Sequence, residues 1–188
     1  MSPLWNRRRE PSPQGLAFRA MFDEFNAGDP PRSFGMGRRW LAVQSQRPKL
    51  VAENLDAAVA PCRWGTGLEL ADDDERLFIT PSVDGWVLII GVEGNEENLQ
   101  RLSSTIGPAF AFDARDRAQA SWVRAVDLDV QRRALRDEAA VLDMAAAQTI
   151  DPRTLAERPE AEGPGWLGRL VRLRTSIWTP SRVGPPVA

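Results

Sequence analysis

Arg76-Leu77-Phe78-Ile79-Thr80-Pro81-Ser82-Val83-Asp84-Gly85-Trp86-Val87-Leu88-Ile89-Ile90-Gly91-Val92 is the stretch on which the fold turns. Two apolar runs, 77–80 and 86–92, flank the segment from Pro81 to Gly85. Proline presets φ for the first half of a turn and Asp-Gly tolerates positive φ, so the two runs read as a hairpin. Val87, Ile89 and Ile90 are β-branched, and the second run lacks polar alternation. Such a strand is buried on both faces, which places 86–92 near the middle of a sheet. The stretch specifies a core and carries no obvious reactive group.

On its N-terminal side, residues 39–45 around Leu41-Ala42-Val43 read as a strand. Residues 49–59 return to helical spacing through Leu50, Val51, Leu55 and Val59, and 63–70 reads as a strand weakened by Gly65 and Gly67. On the C-terminal side, Asn95 caps a helix to Ile106 with Glu96 and Glu97 in its first turn, and Gly107-Pro108 ends it. Strands follow at 110–113 and 121–126. Asp127-Leu128-Asp129 then turns the chain back into 130–136 as a hairpin, although 128–147 also holds helix formers and leaves strand and helix both open. Asp151-Pro152 starts a short helix through Leu155.

These elements define an α+β domain over residues 14–158, with a mainly antiparallel sheet and helices on one face. Two β-α-β-β series run in similar register, one from Trp40 to Pro61 and Phe78, the other from Trp86 to Pro108 and Trp122. An internal duplication and the patterning of an ordinary α+β domain account for this equally well. Residues 1–13 read as a flexible arm with Arg7, Arg8 and Arg9, a weak candidate for nucleic acid or another anion. A helix follows over 14–27, stopped by Gly28-Asp29-Pro30-Pro31. Residues 159–188 read as a linker and a basic amphipathic helix. From Trp166 to Trp178 one side collects Trp166, Leu167, Leu170, Val171, Leu173, Ile177 and Trp178, with Arg169 and Arg172 opposite and Arg174 intruding. Trp166, Leu167, Arg169, Leu170, Arg172, Arg174 and Trp178 are therefore the candidate partner-binding residues.

The chain of 188 residues, 43% hydrophobic and 27% charged, has the make-up of a soluble globular protein with a real core. It has no apolar run long enough to span a bilayer and no secretory apolar region near its N-terminus, so a cytoplasmic location is expected. Cys62 is the single cysteine, which rules out an internal disulfide and suits a reducing compartment. There is no histidine, which removes the usual general base and the commonest zinc ligand. All but one of the 24 basic residues, Lys49, are arginine. A G+C-rich coding sequence explains that bias with less than phosphate recognition requires. Arginines concentrate at both ends, so the near-neutral total of −2 hides an acidic body between two basic termini.

Phe78-Ile79-Thr80-Pro81, Asp84-Gly85-Trp86 and the aliphatic run after it resemble a group of uncharacterised bacterial proteins. In that group Phe-Ile/Val-Ser/Thr-Pro leads to Asp/Asn-Gly-Trp and an aliphatic strand. Leu102-Ser103, the aromatic strand 110–112 and Trp122 look like the group's layout over roughly residues 60 to 137. Asp113-Ala114-Arg115-Asp116 departs from it, standing where similar chains carry aromatic residues and His. The resemblance implies a fold and a bacterial source, and no reaction.

Chemistry finds little purchase. Asp72-Asp73-Asp74-Glu75 lacks the spaced ligands of a calcium loop, so a solvated loop is the simpler reading and no metal site is expected. Asp127 and Asp129 suit a turn better than an acid–base pair. Gly91, Gly94 and Asn95 precede a helix, but Glu93, Glu96 and Glu97 would repel phosphate there. Ser103, Ser104 and Ser121 have no base. The four tryptophans of the body read as core; Trp64 beside Arg63 and Trp122 near Arg124 alone meet the condition for base stacking. No cofactor, catalytic residue or small-molecule substrate is expected. The preferred reading is a non-enzymatic protein that binds another protein, as an antidote or an assembly subunit. A peripheral membrane or nucleic-acid binder acting through the arginine-rich termini comes next, and a carboxylate-dependent hydrolase last.

Overall fold

The structure is a computed structural model that describes residues 30–71, 76–118, 120–127, 129–161 and 163–170. The arm with Arg7, Arg8 and Arg9, the helix expected over 14–27, the acidic run 72–75, and Arg172, Arg174 and Trp178 lie outside the described residues. In chain order the elements are β1 (Arg39–Gln44), α1 (Pro48–Asn54), β2 (Ala57–Cys62), α2 (Trp64–Leu70), β3 (Leu77–Ile79) and β4 (Trp86–Ile90). Then come α3 (Glu96–Thr105), β5 (Ala109–Asp113), β6 (Ser121–Val126), β7 (Asp129–Ala134) and α4 (Glu138–Gln148). Two 3-10 turns, Pro152–Glu157 and Pro159–Ala161, lead into β8 (Gly165–Leu170).

The strands form one sheet in the order β2-β8-β3-β4-β1-β5-β6-β7, and every neighbouring pair is antiparallel. The β3–β4 hairpin is the one expected. Val83 and Trp86 exchange backbone hydrogen bonds of 2.8 Å each way, and Asp84 and Gly85 between them have φ of 48° and 79°. Two consecutive positive φ values twist the turn as paired strands require, and Asp-Gly is the pair that adopts them at least cost. Val87 to Ile90 are all buried in the fourth strand of eight, as an unalternating apolar run demands.

Alternate side chains of each strand feed two cores. Leu41, Val43, Leu77, Ile79, Val87, Ile89, Ala111 and Val123 meet Val51 and Leu55 at α1 and Leu99 and Leu102 of α3. Trp40, Phe78, Leu88, Ile90, Phe110 and Phe112 meet Trp64 and Leu68 of α2 and Val141, Leu142 and Ala145 of α4. Helices thus cover both faces, where the sequence pattern predicts them on one. The reason lies in α2, where the sequence predicts a strand over 63–70, and in α4, which falls in the stretch left open between strand and helix. Trp64, Gly67, Leu68 and Ala71 are buried at i, i+3, i+4 and i+7, a helical stripe in which the glycines mask the signal. A side chain at Gly67 would sit 2.1 Å from the Phe78 ring, so glycine is there for close packing and the cost to helix propensity is overridden. In α4 five of the eleven residues are alanine, so the apolar face stands out poorly; Asp137 fixes its start by accepting from the Ala140 N–H at 2.9 Å.

Other expectations met different outcomes. The β6–β7 hairpin, the helix capped by Asn95 (whose side chain accepts from the Asn98 N–H at 2.8 Å) and the turn at Asp127, φ 53°, are present. The helix expected over 49–59 stops at Asn54, and its tail becomes β2. The two leading strands of the paired series, β1 and β4, lie side by side at the centre, with α1 and α3 packing on one core. Beyond them the two halves differ, since β4 is flanked by β3 and β1 by β5.

Candidate functional site

The expected C-terminal helix does not begin at Trp166. Residues 165–170 form β8, inserted between β2 and β3, with Trp166 opposite both Pro61 and Ile79. The segment read as a linker is held in place on the way there: the Trp64 indole N–H is shared between the carbonyls of Ala161 and Gly163, at 3.2 and 3.1 Å. Glycine makes the insertion possible. A side chain at Gly165 would lie 2.3 Å from the Phe78 ring, so Phe78 fills the space left by Gly165 on β8 and Gly67 on α2.

Strand geometry redistributes the candidate partner-binding residues. Side chains alternate along β8, so Trp166 and Leu170 share one face while Leu167 and Arg169 take the other. Trp166 packs partly against the α1–α3 core and Leu167 against the α2–α4 core. Arg169 and Leu170 are exposed, and Leu170 retains 39% of its surface, opposite Ala57 at the start of β2.

Beside Trp166 the fold leaves a gap. α1 is seven residues long and buries Val51 and Ala52. Its outer flank and Trp166 enclose an open cavity of about 470 Å³, lined by Arg47, Pro48, Lys49, Leu50, Glu53 and Trp166. Val59, on the face that packs against the α1–α3 core, is also only half-buried. The result is an apolar groove with a mainly basic rim. Pro48, Lys49 and Leu50 were not singled out from the sequence. Leu50 was the available signal, since it lies beside the buried stripe of α1 rather than within it.

A second, charged cleft of about 380 Å³ opens at the start of α3, with Arg39, Arg115, Arg132, Glu93, Glu96 and Asp113 around it. Arg115 already forks onto Asp113, with contacts of 2.6 to 3.2 Å, and Asn95 caps the helix end. Opposite charges line this cleft in equal number, so it offers an anion little.

The remaining sequence candidates are distributed elsewhere. The Ser103 hydroxyl donates to the Asp127 carbonyl at 2.5 Å and is shared with the Gln100 carbonyl at 3.1 Å, which ties α3 to the β6–β7 turn. Asp127 and Asp129 are exposed at that turn, where Asp129 accepts from the Gln131 side chain at 3.2 Å. Trp40 and Trp64 are fully buried. Trp122 is half-buried, stacked on Phe110 with centroids 6.2 Å apart. Burial removes Trp64 from any base-stacking surface. Among the described residues no group of three or more His, Cys, Asp or Glu is placed to hold a metal ion, and no helix is long and apolar enough to cross a membrane.

The fold and this surface define an α+β protein with an antiparallel eight-stranded sheet between two helical layers, open at the β2–β8 end. Compared with protein-family models, with curated proteins and with solved structures, the chain finds no match in any of the three.

Proposed function

We propose that this is a non-enzymatic protein that acts by binding another protein through the α1–β8 groove. The supporting observation is the apolar cavity between Leu50, Pro48 and Trp166, at the end of a sheet whose central strands are covered on both faces. A half-buried tryptophan at the wall of an open apolar cavity, rimmed by Arg47 and Lys49, has the composition of a protein-interface centre. Leu170 extends the apolar strip, and the basic residues that follow it, Arg172 and Arg174 with Trp178, are proposed to continue the contact. An antidote or assembly-subunit role suits such a surface. The central β1–α1 and β4–α3 units are where we place an internal duplication, as the frame that carries it.

The test is recovery of partners from the source cell by the full chain and by Leu50→Glu and Leu170→Glu, both at exposed or half-buried positions. A carboxylate in the groove must shed its hydration to bind, so each variant should lose the partner that the parent chain recovers while keeping its thermal unfolding curve. Undiminished recovery of the same partner by both variants would overturn the assignment. Truncation should start after Leu170, because removing β8 takes out an internal strand.

A further inference from the structure

We propose that two copies of this chain pair β2 against β2 in antiparallel fashion, so that their sheets run on as one. The inference stands apart from the groove, since it rests on the strand edge and not on the cavity.

β2 is the terminal strand of the sheet and, among the described residues, pairs with β8 alone. It is regular: all six positions from Ala57 to Cys62 match β8 one for one, with no bulge. Its sequence, Ala-Ala-Val-Ala-Pro-Cys, holds no charged residue. An open strand edge is a template for another strand, and proteins guard such edges with charges, prolines, bulges or a covering element. Among the described residues the guard on this strand is Pro61, next to the end, and it leaves the backbone N–H groups of 57–60 in place.

The opposite edge is guarded. β7 carries Asp129, Arg132 and Arg133 in six residues, and all three are exposed. Pairing β7 with its copy would bring together two strands that each carry two arginines against one aspartate, like net charge against like. Pairing β2 with its copy meets no such cost, and any segment in an antiparallel ladder about a two-fold axis is complementary to itself. The exposed side chains at the edge, Ala58 and Ala60, are short enough to let a second backbone approach.

Antiparallel neighbours keep their faces, so α1 of both copies would lie on the same side of the joined sheet. The two α1–β8 grooves then flank the junction and present a bivalent surface, which raises avidity for any repeated partner without a new contact.

Sedimentation equilibrium on the full chain over a wide concentration range provides the test. A reversible monomer–dimer equilibrium is expected, lost in Ala58→Lys and in Ala60→Lys, and retained in Gln131→Lys on β7. Hydrogen exchange on the parent chain gives a readout that needs no substitution: protection of the 57–60 amides should rise with protein concentration while the β7 amides stay unchanged. A monomer at every concentration, protection independent of concentration, or a dimer indifferent to both β2 lysines would overturn the proposal.

Discussion

The two edges of the sheet differ in how they are built. The β7 edge belongs to a run of consecutive antiparallel strands, β5, β6 and β7, in which each pairs with the next over five or six residues. Its outer strand is studded with charge. The β2 edge is assembled from distant pieces: β2 pairs with β8, more than a hundred residues later, and β8 joins the rest through three positions of β3. Its outer strand is uncharged. The difference separates what local sequence can organise from what needs distant pieces of the chain, and it is at the assembled end that the chain leaves apolar surface open.

The largest test of that contrast is Phe78→Ala. Phe78 is fully buried, edge-on to Trp64 at 5.5 Å, and links α2, β3 and β8. Its loss should cost about 3–5 kcal/mol in urea unfolding, and amides of β2 and β8 should lose exchange protection before those of β5–β7. Equal loosening of both halves would break the comparison. Gly168→Val comes next. A side chain there would start 2.3 Å from the Ala58 carbonyl oxygen, which is backbone and cannot swing aside. A loss of about 1–3 kcal/mol is expected, with β2 exchange affected most.

Asp137→Ala removes the cap of α4, on the β5–β6 side, and should cost about 1 kcal/mol in the same assay without changing β2 exchange. Arg133→Ala, exposed on β7, should stay within about 0.5 kcal/mol.

The smallest effect is electrostatic and lies in the 3-10 segment that leads back to the assembled edge. Burial raises the Asp151 carboxyl, but hydrogen bonds from the Arg153 side chain and backbone, with the charges of Arg153 and Arg158, hold it below its ordinary value. Arg153 forks onto Asp151 at 2.8 and 2.9 Å and reaches Asp143 of α4 at 3.2 Å. A carboxyl depressed in the folded state contributes stability that is present above its unfolded value and lost as the pH falls through the folded one. Asp151→Asn should therefore lower stability across the neutral region, where the carboxylate's contribution is fully present, and flatten the acid limb of the stability curve below about pH 4, while the amide oxygen still accepts from the Arg153 N–H.

The central hairpin was legible because its information is local: a turn pair that wants positive φ, between runs too apolar to face water. The helix capped by Asn95 and the β6–β7 hairpin were legible for the same reason. β8 was not. Trp166, Leu167 and Leu170 fit a helical stripe and a two-sided strand equally over six residues, and nothing nearby announces that β2 and β3 are waiting to receive it. α2 was hidden by Gly67, whose purpose is visible only once Phe78 is seen against it. Of the candidate site, Trp166 and Leu170 were named from the sequence, but for a helical face that strand geometry divides. The α1 flank with Leu50 and Lys49 joins them only through tertiary contact.

Hydrogen-exchange footprinting of the full chain bound to its recovered partner tests the central claim most directly. The account predicts new protection confined to residues 47–53 and 166–170, at the assembled edge. Protection centred instead on the charged cleft of Arg39, Arg115 and Arg132 would contradict it.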